Sequence, residues 1–166
     1  MAKYLILIRH AKSSWENPSL RDFDRPLNGR GQRDAPEMGR RLAEKEIIAD
    51  LMLTSPANRA ITTCQTIAEK IGYPLKAIEK DEEIYHAGPS TLLEVVRSID
   101  DSWRTVLLFG HNPGFTDFAN ALNNTDIENI PTCGMVSIKF EVNSWQDISY
   151  GSGIQLEFDY PKKKQK

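Results

Sequence analysis

Cysteine, histidine and long apolar runs are all scarce in this chain, and each scarcity excludes something. Only two cysteines, Cys64 and Cys133, occur among 166 residues. Both sit in apolar segments without metal-ligand spacing, so they read as reduced core thiols of a cytoplasmic protein, not as a disulfide framework or a zinc site. The longest near-apolar run, Tyr4 to Ile8, is far short of the ~20 residues that a bilayer span requires. No basic segment followed by an apolar stretch and a small-residue cleavage site opens the sequence, which argues against secretion. An excess of one charge is missing too: 21 Lys and Arg stand against 23 Asp and Glu, for a net charge of -2. Such a field attracts neither nucleic acid nor an anionic membrane, so any bound anion must be gathered locally.

What is present is globular. Hydrophobic residues make up 40% and charged residues 27% of the chain, and a domain of this length buries roughly 70% of its unfolded surface. The expectation is one domain over residues 1–160 and a solvated, frayed basic tail at 161–166. No coiled-coil repeat or unpaired apolar stretch demands association, so the chain is expected to act as a monomer. Short β-rich runs are predicted as strands at 3–8, 50–54, within 74–80, and at 105–109. Helical spacing of apolar residues predicts helices at 32–47, 57–71, 89–99 and 114–122. In the second of these, Ser55-Pro56 reads as cap and first helical residue, and Gly72 as the stop. Runs at 134–140 and 154–159 alternate and read as edge or antiparallel strands. This order of elements predicts a three-layer α/β/α fold with a mainly parallel central sheet.

Ligands of open α/β sheets bind beyond the carboxyl ends of the parallel strands, so the polar residues stationed there carry the chemistry. The first strand runs into Arg9-His10, the second into Ser55 with Arg59 one helical turn later, and the fourth into Gly110-His111-Asn-Pro-Gly114. Each residue alone has a dull reading as surface or satisfied structure. Together, two arginines and two of the chain's three histidines would repel one another unless an anion joined them. The arginine fork suits phosphate, and the turn at 110–114 offers backbone N–H groups and a helix N-terminus. A metal is the rival use of paired histidines, but flanking arginines oppose a divalent cation and no third ligand is spaced for it. Imidazole can attack phosphorus if one nitrogen keeps its lone pair, and neighbouring arginines hold it neutral. His10, at the end of the first buried strand, is the predicted nucleophile, and His111 the donor to the phosphate oxygens.

Three segments, Arg9-His10-Ala-Lys-Ser13, Ser55-Pro-Ala-Asn-Arg59 and Gly110-His111-Asn-Pro, resemble the signatures of the histidine phosphatase superfamily. Asp22-Phe-Asp-Arg-Pro-Leu-Asn-Gly-Arg-Gly31 is similar to the loop that leads into the first helix of its small, SixA-type phosphohistidine phosphatases. The resemblance implies that His10 is transiently phosphorylated and that Arg9, Arg59 and His111 form the phosphate pocket. It places Ser13 near the phosphate, and it implies neither metal nor organic cofactor. Many members carry an acidic proton donor four residues before a glycine; here Glu83 precedes Gly88 by five, which makes Glu83 the candidate acid.

The shift in that position bears on substrate. An alkyl phosphate must expel a poor leaving group and needs a positioned acid, whereas a protonated phosphohistidine expels neutral imidazole. The short 72–89 connection leaves little material for a lid, which suits a phosphorylated side chain on another protein. The expected function is therefore hydrolysis of protein phosphohistidine, with a phosphohistidine-bearing protein as partner. The alternatives are a phosphatase for small phosphomonoesters such as sugar phosphates, with Glu83 as general acid, and a phospho-ligand-binding module without turnover.

Overall fold

The apolar runs pair into one six-stranded sheet in the computed structural model, which describes residues 1–165. Strand β1 (Lys3–Arg9) lies inside it, with β4 (Thr105–Gly110) parallel on one side and β5 (Met135–Phe140) antiparallel on the other. Strand β2 (Leu51–Thr54) extends the parallel half from β4 and is followed by the two-residue β3 (Glu79–Lys80). Strand β6 (Ile154–Asp159) closes the other edge, antiparallel to β5, so the order is β3-β2-β4-β1-β5-β6.

Burial on both faces explains why β1 and β4 read as unbroken apolar runs. Leu5, Leu7, Val106 and Leu108 point to one side, where α3 (Pro89–Arg97) and α4 (Gly114–Asn123) cover them with Leu92, Val96, Phe115 and Phe118. Ile6, Ile8, Leu107 and Phe109 point to the other, under α1 (Gly29–Glu44) and α2 (Asn58–Ile71) with Met38, Leu42, Cys64 and Ile67. Each such side chain, fully withdrawn from water, contributes about 1.5–3 kcal/mol. The three-layer architecture and the mainly parallel sheet are as the sequence predicts. Cys64 and Cys133 are both buried and unpaired, and burial pushes both thiols well above their ordinary range. Among the described residues, no helix is long and apolar enough to cross a membrane.

The differences lie at element ends. Helix α1 starts three residues earlier than its apolar spacing suggests, because the Asn28 side chain accepts the Gly31 N–H at 2.9 Å and caps it. It stops at Glu44, and Glu46 turns away with a positive φ of 57°. The predicted third strand shrinks to two residues, since a 3-10 turn over Leu75–Ala77 uses up the segment after Pro74. Strand β5 is interior rather than an edge. Arg41 donates to the carbonyls of Tyr160 and Pro161, and Lys163 to that of Phe158, so the expected tail is held that far. Lys166 lies outside the described residues.

Candidate active site

Strand β1 delivers its last two side chains under tight backbone control. The His10 N–H donates to the Gly110 carbonyl at 3.0 Å, and its own carbonyl accepts from Cys133 at 3.0 Å. The residue is thus pinned from β4 on one side and from the β5 entry on the other. Its Nδ1 lies 2.8 Å from the Ala11 carbonyl. A carbonyl can only accept, so Nδ1 carries the proton and Nε2 of the neutral ring keeps a free lone pair. The next N–H, that of Ala11, donates to Thr63 Oγ1, which donates in turn to the Arg59 carbonyl and fastens α2 beside the ring.

The arrival of Arg59 corrects the expected cap. Ser55 does not begin α2; the helix starts at Asn58. Ser55 Oγ accepts the Ala57 N–H at 3.2 Å and lies 2.7 Å from His111 Nε2. The serine therefore ties the β2 end to the β4 end, and Arg59 enters the site from the first helical turn, buried. The His10 and His111 ring centroids are 5.2 Å apart. Arg9 donates from Nη1 to the Ile130 carbonyl at 2.9 Å, while its Nε and the Nδ1 of His111 are buried without a hydrogen-bond partner. The turn at 110–114 differs from expectation. The N–H groups of Phe115, Thr116 and Asp117 are taken by the His111 carbonyl, Asn112 Oδ1 and the Pro113 carbonyl.

A hub outside the three motifs joins these pieces. Asp22, in a 3-10 turn over Asp22–Asp24, accepts Arg59 Nη2 at 2.9 Å, Tyr85 Oη at 2.7 Å and Arg25 Nη1 at 2.9 Å. Its backbone carbonyl accepts Arg59 Nη1 at 2.6 Å. Arg25 also donates to Ser13 Oγ, so Ser13 reaches the cup by way of Arg25. On its other side the Arg25 guanidinium stacks 3.3 Å from the ring of the exposed Trp15. Asp22 and Arg25 stand in a segment whose resemblance was noted only as a lead into the first helix.

The 72–89 connection also contributes more than expected. Glu83 is exposed and lines a groove with Asp81, Thr91, Glu94 and Ser98, away from the rings. Its N–H is held by Asp81 Oδ1, which caps the 3-10 turn Glu82–Ile84 and sends the chain past the site two residues later. The side chains that face the site from here are Tyr85 and His86. His86 stacks on Tyr85 with centroids 3.9 Å apart and lies 5.8 Å from the His111 ring and 3.4 Å, from Nε2, to Asp22 Oδ2. All three histidines of the chain thus stand in one cluster. The only sequence signal for the third was its type, in a chain with so few of them.

Electrostatics follow from this geometry. Burial, and then the Arg59, Arg9 and Arg25 charges, pull His10 down to about 4 against the opposing bond to Ala11. Burial, with His10 and Arg59 beside it, pulls His111 down to about 2. Burial alone would raise Asp22, but the hydrogen bonds from Tyr85, Arg59 and Arg25 reverse it and hold the carboxyl well below the carboxylate range. Burial and the Arg59 charge lower Arg9. The site is therefore two neutral imidazoles among three guanidiniums, with a single carboxylate spanning two of them. Among the described residues, no group of three His, Cys, Asp or Glu side chains is arranged to hold a metal. Such a site can bind a tetrahedral oxyanion and attack it with a ring nitrogen.

Comparison with known proteins agrees. The family model described as histidine phosphatase superfamily (branch 1) matches residues 5–89. The uncharacterized protein Rv1276c of Mycobacterium tuberculosis is 31% identical over 166 residues, covering 93% of this chain and 100% of the relative. The solved SixA of Agrobacterium tumefaciens superposes with a TM-score of 0.81 at 27% identity, covering 96% of this chain and 98% of that one. The protein histidine phosphatase SixA complexed with tungstate shares the fold, with a TM-score of 0.77 at 18% identity over 95% and 97% of the two chains.

Proposed function

The chain belongs to the histidine phosphatase superfamily, and from that premise we propose that it hydrolyses protein phosphohistidine through a covalent phospho-His10 intermediate. The observation that carries the reading is the bond from His10 Nδ1 to the Ala11 carbonyl, which leaves Nε2 as the attacking atom inside the cationic cup. In the first half-reaction the Nε2 lone pair forms a bond to phosphorus while the bond from phosphorus to the substrate nitrogen breaks and its electron pair leaves with the substrate ring. In the second, a water oxygen bonds to phosphorus, the bond to His10 Nε2 breaks, and inorganic phosphate departs. Arg9 Nε, a buried donor without a partner, His111 Nδ1, which carries the ring proton when Nε2 accepts from the Ser55 hydroxyl, and the Arg59 and Arg25 charges supply the groups that such a transferring phosphate needs.

Two observations support phosphohistidine over a sugar phosphate. The carboxylate of Glu83 lines a different groove, so the phosphomonoester reading loses the acid it relied on. The mouth carries an exposed Trp15 locked on Arg25, a surface suited to a protein partner. In this reading the protein acts as a monomer in the cytoplasm, without metal or organic cofactor.

The test is turnover of a phosphohistidine peptide beside a panel of sugar phosphates, by wild type and His10→Ala. Wild type should turn over the peptide faster and yield an acid-labile phosphoenzyme, and His10→Ala should do neither. Full turnover by His10→Ala removes the covalent mechanism, and faster hydrolysis of the sugar phosphates removes the substrate assignment.

A further inference from the structure

An ester leaving group, or a phosphohistidine ring that is not already protonated, needs a proton in the first half-reaction, and the attacking water must lose one in the second. The groups around the rings can be sorted by whether they can move that proton. Arg9, Arg25 and Arg59 stay charged throughout. The Asp22 carboxylate is fully engaged by Arg59, Arg25 and Tyr85, and the Tyr85 proton is spent on Asp22. His10 is the nucleophile, and His111 is buried with its Nε2 against Ser55. Glu83 lines the neighbouring groove.

Two titratable side chains remain around the hollow beside His111, the exposed Asp117 and His86, and of these His86 is the one that packs with the rings. His86 has 59% of its side chain exposed and lies 3.4 Å from Asp22 through Nε2. Together with His111, Asn112, Gly114 and Asp117 it lines a hollow of about 210 Å³. Its backbone adopts a left-handed φ of 57°, a conformation that only a few per cent of non-glycine residues take and that marks imposed positions. The next residue is packed tightly as well. Gly114, at the start of α4, lies so close to the next residue of this segment that a Cβ there would stand 1.9 Å from the Ala87 carbonyl oxygen. The α4 terminus and the 86–88 segment are thus packed backbone to backbone, which sets His86 beside His111.

We propose that His86, stacked on Tyr85 beside Asp22, is the catalytic acid and base of this site: its Nδ1 protonates the departing group and later takes the proton from water. This deepens the phosphatase reading above and rests on it. Protons balance over the cycle. In the first half-reaction the imidazolium gives its Nδ1 proton to the leaving atom as the bond to phosphorus breaks, and becomes neutral. In the second the neutral ring accepts a proton from the attacking water as the oxygen–phosphorus bond forms, and the imidazolium returns. The Asp22 carboxylate, 3.4 Å from Nε2, favours the charged ring through its negative charge.

The experiment compares wild type and His86→Asn on p-nitrophenyl phosphate, phenyl phosphate and a phosphohistidine peptide, reading kcat/KM. Asparagine tolerates the left-handed backbone and keeps a donor toward Asp22, so the fold is preserved while proton transfer is removed. The expected loss is about 100-fold or more on phenyl phosphate, whose leaving group needs a proton, and less than about tenfold on p-nitrophenyl phosphate. Equal losses on the two esters, or no loss on either, overturn the assignment. A leaving-group gap that appears in Glu83→Gln and not in His86→Asn returns the acid to Glu83 and also overturns it. If the gap holds while the peptide is a worse substrate than the esters, the substrate reading fails and the acid assignment stands.

Discussion

The low proton affinity that arms His10 has a consequence for stability, and acidification of the resting protein exposes it. The two buried rings are neutral in the folded chain, His10 down to about 4 and His111 down to about 2, against an ordinary 6.5 once unfolded. As pH falls below 6.5 the unfolded chain takes up protons that the folded rings refuse. Protons therefore pull toward unfolding, and stability is lost as pH drops from 6.5 toward the folded values. For His10 the loss between pH 7.5 and 5 is about 2 kcal/mol, and a similar amount attaches to His111. With the rings 5.2 Å apart, the joint loss belongs to the pair. The carboxylates that ion pairs hold down, Asp22 and Glu37, are still charged at pH 5, so they do not mask the effect. Urea unfolding followed by circular dichroism at pH 7.5, 6.5, 5.5 and 5.0 is the assay. At a urea slope of about 2 kcal/mol per M, each ring moves the midpoint by roughly 1 M over that range. His10→Gln should lose less than wild type between pH 7.5 and 5 by about 2 kcal/mol, whatever its stability at pH 7.5. A wild-type midpoint that stays put down to pH 5, or a Gln variant as acid-sensitive as wild type, refutes the claim that these rings are held neutral by burial among cations.

Ser55→Ala leaves His111 Nε2 and the Ala57 N–H without their shared partner. It should cost about 1–3 kcal/mol in urea unfolding and lower kcat with the ring no longer fixed. Arg59→Lys keeps the charge but cannot bond both the carbonyl and the carboxylate of Asp22, so hydrolysis of p-nitrophenyl phosphate should fall about 100-fold, close to Arg59→Ala. Gly114→Ala forces the Ala87 carbonyl to move, so it should destabilise by about 1–3 kcal/mol and slow phenyl phosphate more than p-nitrophenyl phosphate.

The parts of the site that the sequence disclosed are those that end regular elements. Arg9, His10 and His111 follow apolar runs buried on both faces, so their position at the carboxyl rim follows from the pattern alone. Arg59 was legible for a related reason, as the polar intruder in the first turn of a helix whose apolar stripe is clear. The fold followed from the same alternation, apart from ends set by single contacts such as the Asn28 cap. Asp22, Arg25, Tyr85 and His86 left no comparable trace. They sit in short 3-10 turns and irregular chain, where no hydrophobic period fixes which way a side chain points. Glu83 shows the cost. Its place relative to Gly88 suggested the site, but the Asp81 cap rotates the turn so that Tyr85 and His86 face the rings.

The arrangement also answers how His10, the proposed nucleophile, stays neutral without the site becoming unfavourable when empty of substrate. Three guanidiniums lower the proton affinity of His10, but left to themselves they would repel one another in a partly dry cleft. One carboxylate resolves this, because Asp22 bridges Arg25 and Arg59 through separate oxygens while Arg9 is held by the Ile130 carbonyl. The bridge stands at the rim of the cup, half exposed, whereas the unpartnered donors of Arg9 and His111 lie buried within it. A carboxylate deep in the cup would have used up those donors and raised the proton affinity of the nucleophile. At the rim it satisfies the outer faces of two arginines and leaves the inner donors for the proposed phosphate, which would bring the charge and the number of oxygens to meet them.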